Sequence, residues 1–272
     1  MVVGVVKVED TITEEIITKL PVTDEKDEEE NNLCISSIGF LKKKKLIVLD
    51  LNGLLADIVS SHPKEVTPDA TIARNSLFKR PFSLFKRSFS HEFLNFCFER
   101  FEVAVWSSRS KETVDSIIDY LMGDMKQMLI FTWDISHCTE TAFQTVENKR
   151  KPLVCKDLRK IWDKYDPNLP WEKGYYNESN TLLLDDSPHK ALLNPPYNSI
   201  FPHTFSYENQ NDNSLAAGGD LRQYLEGLAS AENMVKYVEQ HPFGQERITE
   251  TNEFWDFYLN VINSISACQP EK

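Results

Sequence analysis

The sequence predicts an α/β fold, in which a mostly parallel sheet is flanked by helices and followed by a helical C-terminal extension. Two observations predict it. Short apolar segments of strand character alternate along the chain with amphipathic segments of helical spacing, and the chain after about residue 218 is amphipathic with helical spacing. Repeated β-α alternation favours a parallel sheet with helices on both faces.

Five short apolar segments are predicted to be strands. They are LIVL (46–49), VAVWSSR (103–109), QMLIF (127–131), TLLL (181–184) and NSIFP (198–202). Between the third and the fourth segment, NKRKPLVCKDL (148–158) is expected to bring a lysine towards the edge of the sheet where the strands end. Open α/β sheets bind ligands at the carboxyl ends of their strands.

Four segments carry apolar residues at helical spacing and are predicted to be helical. They are HEFLNFCFERF (91–101), KETVDSIIDYLM (111–122), GDLRQYLEGLASAENMVKYVEQ (219–240, as one or two helices) and FWDFYLNVINSI (254–265). The first two are expected to cover the sheet. Residues 241–249, HPFGQERIT, separate the last two segments and are interpreted as a linker.

Composition narrows the class of protein. The chain has 42 acidic and 30 basic residues and a formal charge of −12, which disfavours a general binder of nucleic acid or of anionic membranes. Its five cysteines are scattered without a CxxC pair, so neither a zinc cluster nor a disulfide framework is indicated. No apolar run reaches the roughly 18 residues that span a bilayer. We therefore expect a protein of the nucleus or cytoplasm, with no membrane span and no direct contact with nucleic acid.

Three regions are predicted along the chain. Residues 1–43 include the acidic run DEKDEEENN. They are expected to form a disordered tail, because the negative charges of the run repel one another and the run lacks aromatic residues. Residues 44–231 hold the β-α alternation and are expected to form the catalytic domain. Residues 232–272 are expected to form a C-terminal helical extension, whose helices are a candidate surface for a protein partner.

Polar side chains follow three of the predicted strands. Asp50 and Asn52 follow the first, Ser107 follows the second, and Asp185 and Asp186 follow the fourth. Strand residues two apart point to the same side, so Asp50 and Asn52 are expected to project together. Since the carboxyl ends of parallel strands meet at one edge, we expect all of these residues to lie close together.

This set, with Lys156 on the intervening segment, is typical of phosphoryl transfer. A carboxylate attacks phosphorus in line, a hydroxyl and an ammonium hold the non-bridging oxygens, and Mg²⁺ bound by carboxylates neutralises charge. Each residue alone also has a structural explanation: strand-end aspartates cap turns, Lys156 fits a surface ion pair, and Ser107 fits the N-cap of the next helix. Their order on successive strand ends favours the catalytic interpretation.

The motifs of this region resemble the haloacid dehalogenase superfamily, specifically its branch of small C-terminal-domain and Dullard-like phosphatases, also called NLI-interacting-factor-like. The resemblance rests on DLNGLL for the family's DxDx[TV]L, LFKRP before the first helix, VAVWSSR, KPLVCKDL, and LLLDDSPH for the metal motif. It implies a Rossmann-like fold and a Mg²⁺-dependent phosphatase. The implied substrate is phosphoserine or phosphothreonine in an extended protein segment, admitted by a small insertion rather than a closed cap.

The resemblance also implies a role for each site residue. Asp50 is similar to the nucleophile that becomes phosphoaspartyl, and Asn52 contributes a backbone carbonyl to Mg²⁺. Ser107 is similar to the phosphate-binding hydroxyl, and Lys156 to the charge-neutralising lysine. Asp186 is similar to the direct metal ligand, and Asp185 lies beside it in the acidic metal pocket.

Asn52 departs from the family pattern, which has an aspartate there as general acid and base. Amide and carboxyl groups are similar in size and both form hydrogen bonds, so the fold and the metal site should survive. Proton transfer should not survive, and general acid–base catalysis is worth roughly 10²–10⁴-fold. Asp57 is the candidate substitute, although the peptide after the strand is expected to carry it away from the site. The sequence therefore predicts an impaired phosphatase.

Two other functions fit the sequence. A non-catalytic module of the same fold would bind a phosphorylated or basic partner through the acidic site and the C-terminal helices, and Asn52 favours this alternative. A mitochondrial inner-membrane import subunit carries the same kind of domain, but it normally has a transit peptide and a membrane anchor. We expect neither here, because the N-terminal residues are acidic and no long apolar run is present, so this alternative ranks third.

Overall fold

The computed structural model describes residues 45–74 and 80–268. Within them the strands are β1 (Leu46–Leu49), β2 (Ala56–Val59), β3 (Ala70–Ile72), β4 (Phe82–Lys86), β5 (Glu102–Trp106), β6 (Thr132–Trp133), β7 (Thr139–Gln144), β8 (Pro152–Cys155), β9 (Thr181–Leu184) and β10 (Ser199–Ile200). The α-helices are α1 (Ser90–Arg100), α2 (Lys111–Met122), α3 (Arg159–Trp162), α4 (Asp220–Ser230), α5 (Met234–Gln240) and α6 (Trp255–Cys268). The predicted acidic tail, 1–43, lies outside the described residues.

A five-stranded parallel sheet forms the centre of the fold, in the order β10-β9-β1-β5-β6. Strand β1 lies in the middle, where Leu46 pairs with Glu102 on one side and with Thr181 on the other. All four residues of β1 are buried, which explains why the strand is apolar throughout rather than alternating. The predicted fold class, a mostly parallel sheet flanked by helices with helices following at the C-terminal end, is confirmed.

The side chains of β1 alternate between two apolar layers. Ile47 and Leu49 join the layer formed with α1, α2 and α4, whereas Leu46 and Val48 join an aromatic layer on the opposite face. The aromatic layer lies under the connection from β6 to β9, whose α-helix is the short α3. The expectation of helices on both faces is therefore met fully on one face only. Proline and glycine in the stretch DPNLPWEKG, 166–174, interrupt helix formation in that connection.

The third strand begins later than the segment QMLIF predicts. A 3₁₀ helix, Gly123–Met128, takes up its first residues, and β6 begins only at Thr132. The Ile130 amide already donates to the Val103 carbonyl, at 3.0 Å, so pairing with β5 starts before the regular strand does. The helical segment 219–240 divides into α4 and α5, with the Asn233 side chain accepting from the Lys236 amide as the N-cap of α5.

A small antiparallel sheet, β2-β4-β3, is inserted between β1 and α1. The first three residues of the LFKRP motif, 77–79, fall in the stretch 75–79, which lies outside the described residues. A second antiparallel pair, β7-β8, supports Lys156 directly after β8. The first of these sheets begins at Ala56, four residues after Asn52, and the second ends at Cys155, next to Lys156.

The C-terminal helices pack against the rest of the described chain. Helix α4 buries Leu221, Leu225 and Leu228 against the sheet, and Lys45 Nζ donates to the Leu228 carbonyl, at 2.8 Å, near the end of that helix. A cation at this end opposes the partial negative charge of the helix terminus. Helix α6 packs its buried side chains against β7 and β8. In residues 45–74 and 80–268, no helix has both the length and the apolar character needed to cross a membrane.

Candidate active site

Three carboxylates meet at the carboxyl edge of the central sheet. Asp50 directly follows β1, and Asp185 and Asp186 directly follow the neighbouring strand β9. Carboxylate oxygens of the three lie within 4.8 Å of one another, although all three side chains are buried. The parallel pairing of β1 and β9 produces this proximity, because both strands end at the same level.

Lys156 enters this cluster from the end of β8. Its fully buried ammonium lies 3.0 Å from Asp50 Oδ1 and 2.5 Å from Asp185 Oδ2. Backbone hydrogen bonds hold the lysine in place, since its amide donates to the Lys190 carbonyl at 2.7 Å and its carbonyl accepts from Asn194 Nδ2 at 2.9 Å. Lys156 therefore bridges the two strands that carry the carboxylates.

A second lysine, Lys190, was missed by the sequence reasoning. Its ammonium lies 3.1 Å from Asp50 Oδ2 and 3.2 Å from Asp185 Oδ1, so each of the two carboxylates is held by both lysines. Lys190 lies on the 3₁₀ helix Pro188–Ala191, which follows β9. The available signal was its place in LLLDDSPHK, four residues beyond Asp186. Three carboxylates and two ammonium groups thus make up the charged cluster.

The charges in the cluster shift one another. Burial alone would raise the pKa of Asp50, but Lys156 and Lys190 outweigh burial and hold that pKa well below its usual range. Burial would lower the pKa of Lys190, but the neighbouring carboxylates of Asp185 and Asp50 raise it instead. Asp50 and Lys190 are therefore both charged at neutral pH.

Asp186 is in a different environment from the other two carboxylates. Burial, together with the nearby charge of Asp185, raises the pKa of Asp186 to about 6. The Ser187 hydroxyl donates to Asp186 Oδ1 at 3.0 Å, while Lys156 and Lys190 are engaged by Asp50 and Asp185. A buried carboxylate crowded by a like charge favours a cation beside it, and hard oxygen ligands of this type suit Mg²⁺.

Gly53 makes room for Asp186. Its φ of +80° lies in the left-handed region, and a Cβ at this position would lie 2.0 Å from Asp186 Oδ2. The Gly53 amide donates to the Ala56 carbonyl at 2.8 Å, which turns the chain sharply after β1. Only glycine allows the backbone after Asn52 to approach the carboxylate this closely.

The Asn52 side chain is tied to the inserted sheet. Its Oδ1 accepts hydrogen bonds from the Ile58 amide at 2.9 Å and from Arg109 Nη2 at 3.2 Å. Arg109 also donates to the Ile58 carbonyl at 2.8 Å, and its guanidinium lies 4.5 Å from the centre of the Phe82 ring. Sequence reasoning assigned no role to Arg109, although it ends the quoted motif VAVWSSR two residues after Ser107.

Ser107 and Asp57 lie on or after other strands than the three carboxylates. Ser107 is buried at the end of β5, where its amide donates to the Trp133 carbonyl at 2.9 Å. Ser110, not Ser107, is the N-cap residue of α2, so the structural explanation of Ser107 as a helix cap is wrong. Asp57 lies on β2 and accepts a hydrogen bond from the Tyr207 amide at 3.1 Å, and burial raises its pKa.

Comparison with known proteins gives a consistent set of matches. Residues 45–236 match the model of the family described as NLI interacting factor-like phosphatase. The chain is 29% identical over 211 residues to an uncharacterized FCP1 homology domain-containing protein of Schizosaccharomyces pombe, covering 75% of this chain and 80% of that protein. It is 27% identical over 160 residues to the ubiquitin-like domain-containing CTD phosphatase 1 of Xenopus tropicalis, covering 57% of this chain and 46% of that protein.

The chain thus spans about half the length of that Xenopus relative. A structural match is a variant of the fission yeast RNA polymerase II CTD phosphatase Fcp1 bound to beryllium fluoride. Its TM-score is 0.44 and its sequence identity 13%, with 89% of this chain and 67% of that chain covered.

Proposed function

Because the chain belongs to the NLI interacting factor-like phosphatase family, we propose that it is a Mg²⁺-dependent phosphatase-like protein with low turnover. Family membership confirms the resemblance drawn from the sequence motifs. The proposed substrate is phosphoserine or phosphothreonine in an extended protein segment, in keeping with relatives named as CTD phosphatases. A single observation carries the proposal: Asp50 is buried between two lysine ammonium groups, at 3.0 and 3.1 Å, at the carboxyl edge of the sheet.

In the proposed first step, an Asp50 oxygen attacks the phosphorus of the substrate. The new bond joins Asp50 to phosphorus while the bond from phosphorus to the serine or threonine oxygen breaks. We propose that Lys156 and Lys190, which contact Asp50, share their charge between Asp50 and the phosphoryl oxygens, and that the Ser107 hydroxyl donates to one of those oxygens. In the second step, water attacks the phosphoaspartate, which releases phosphate and restores the carboxylate.

We assign the metal to Asp50, Asp186 and the backbone carbonyl of Asn52. When bound, Mg²⁺ would neutralise negative charge on the phosphoryl oxygens. The two lysines contact both oxygens of Asp185 and both oxygens of Asp50. Asp185 Oδ1 additionally accepts a hydrogen bond from the Ser187 amide at 2.9 Å, which occupies this carboxylate further. We therefore propose that Asp185, which the sequence placed among the metal residues, holds the two lysines.

Asn52 is the proposed cause of low turnover. An amide neither gives nor takes a proton at neutral pH, so a departing serine alkoxide would lack its donor and the attacking water its base. Aryl phosphates need this help far less, because a phenolate leaves without protonation. Detectable activity on an activated aryl phosphate, with little on phosphoserine peptides, is therefore expected.

The test is a Mg²⁺-dependent assay on phosphopeptides with three variants. Asn52→Asp should raise turnover by about 10²-fold or more, the scale of a positioned general acid and base. Asp50→Asn should remove all activity, and Asn260→Asp, which adds the same charge at an exposed position of α6, should change nothing. If Asn52→Asp folds, responds to Mg²⁺ and remains inactive on every phosphorylated substrate, the catalytic proposal fails.

A non-catalytic binding module is the second candidate. The contacts of Asn52 Oδ1 with the Ile58 amide and Arg109 favour it, because they give the amide a structural use that needs no proton transfer. This candidate predicts that the protein binds phosphopeptides and that Asn52→Asp still does not hydrolyse them. The import-subunit alternative gains nothing from the relatives named above and stays third. Fractionation of cells that express the tagged protein would test the proposed nuclear or cytoplasmic location.

A further inference from the structure

Residues 241–249, interpreted from sequence as a linker, contact the chain beside the candidate metal site. We call these residues the C-terminal strap. Gln245, in the middle of the strap, donates from Nε2 to the Asp186 backbone carbonyl at 2.7 Å and to the Pro202 carbonyl at 3.0 Å. An amide nitrogen has two hydrogens, so both donors of this group are used. The interpretation as a linker therefore missed a contact with a proposed metal ligand.

The strap backbone is fixed next to strand β10. Gly244 forms a bridge with Phe201, and the Gln245 amide donates to the Phe201 carbonyl at 2.7 Å. Gly244 has a φ of +73°, and a Cβ there would lie 2.1 Å from the Phe201 oxygen, so glycine is required for this approach. These contacts set the point from which the Gln245 side chain reaches Asp186.

Asp186 is thereby held on two sides. Its carboxylate lies so close to Gly53 that a Cβ at position 53 would clash with it. Its backbone carbonyl accepts a hydrogen bond from Gln245. Residues 45–236 match the family model, so Gln245 lies beyond the region that carries the family motifs. The contact is therefore contributed by a segment that the motifs do not include.

We propose that Gln245 is a positioning residue for Asp186, and that the C-terminal strap is part of the metal site. The proposal rests on the proposed function in one respect, which is that Asp186 binds Mg²⁺. Groups that orient a metal ligand without touching the metal typically affect metal affinity or activity by about 10- to 100-fold. Loss of the Gln245 contact should allow the peptide at Asp186 to shift and so weaken Mg²⁺ binding.

The experiment is a thermal unfolding titration of the full chain with Mg²⁺. Gln245→Met keeps the length of the side chain and removes both donors, and Gln245→Asn keeps the amide but shortens its reach by one methylene. Both variants should raise the apparent Kd for Mg²⁺ by about 10-fold or more. Glu246→Gln, a change at the exposed neighbouring position of the strap, should bind Mg²⁺ like the wild type.

Activity on an aryl phosphate supplies a second readout. If Gln245 acts through the metal, the loss of activity in Gln245→Met should disappear at saturating Mg²⁺, which a general loss of structure would not show. A variant with a lower Tm but an unchanged Mg²⁺ titration would overturn the proposal and leave the proposed function standing. A wild-type chain whose Tm does not respond to Mg²⁺ would overturn both.

Discussion

Replacing Lys190 by methionine tests the charge balance of the site. The ammonium lies 3.1 Å from Asp50 and 3.2 Å from Asp185, and both carboxylates are almost fully buried. Methionine keeps a similar length and removes the charge. The variant thus leaves three carboxylates beside one remaining ammonium, that of Lys156.

The expected loss of stability follows from this burial. Breaking a buried ion pair by removing one partner typically costs about 3–5 kcal/mol, because the other charge stays buried without compensation. Lys156 still contacts both carboxylates, so we expect a loss of about 3 kcal/mol, at the lower end of this range. For a domain of this size, 1 kcal/mol corresponds to roughly 2–4 °C, so Tm should fall by about 6–12 °C.

Urea unfolding at pH 7, with and without Mg²⁺, measures both the loss and its recovery. Because the variant site carries more uncompensated negative charge, Mg²⁺ should stabilise Lys190→Met more than the wild type. Lys173→Met is the matched control, since its ion pair with Asp163 is exposed and should be worth at most about 1 kcal/mol. A loss below about 1 kcal/mol for Lys190→Met, or an equal Mg²⁺ response in both proteins, would refute the argument.

Three further predictions concern other parts of the domain. Gly53→Ala should lower the free energy of unfolding by more than about 1 kcal/mol and abolish the Mg²⁺-dependent rise in Tm, because a Cβ would lie 2.0 Å from Asp186 Oδ2. A variant with the Tm and the Mg²⁺ response of the wild type would contradict this prediction. Arg87→Met should cost about 3 kcal/mol in urea unfolding, since it leaves Asp212 without its partner at 2.7 Å, and a cost below about 1 kcal/mol would be inconsistent with a buried pair. Burial, with the charge of Lys190, lowers the pKa of His189 from 6.5 to about 4. The unfolded chain therefore binds a proton between these values that the native chain does not, so the contribution of His189 to stability is greatest above pH 6.5 and falls by about 3 kcal/mol as the pH drops to 4. Asp186 acts in the opposite direction below about pH 6, because its raised pKa makes the native chain bind the additional proton there. In urea titrations the difference in stability between the wild type and His189→Gln should therefore change by about 3 kcal/mol between pH 6.5 and 4, and a difference independent of pH would exclude this role of His189.

Strand ends were the part of the site that the sequence could predict. Asp50, Ser107 and Asp185 each follow an apolar run, and parallel pairing of β1, β5 and β9 brings such positions to one edge without further information. The path of Lys156 was predicted only as a segment between strands. Strands β7 and β8 form a separate antiparallel pair, and β7 alternates only between half-buried and exposed residues, so it lacks the apolar run of the central strands. Periodicity therefore predicts elements better than it predicts connections.

Contacts between distant, irregular segments escaped the sequence reasoning. Lys190 lies on a 3₁₀ helix whose direction depends on the packing of the chain after β9, and no periodic pattern encodes that direction. Gln245 is 59 residues from Asp186 in sequence, in a segment that was interpreted as a linker because it separates two segments of helical spacing. Gly244 in this segment allows the strap backbone to approach the chain after β10.

The central position of β1 has a consequence for how the chain folds. Asp50 contacts Lys156 and Lys190, which are 106 and 140 residues away in sequence, so its partners come from the second half of the chain. Contacts of such long range form slowly, because ordering the intervening chain costs entropy before the contacts stabilise it. During synthesis β1 leaves the ribosome long before β9 does. We therefore expect Asp50 to stay hydrated on the growing chain, and to lose its water only after residue 190 has emerged and both lysines have joined it.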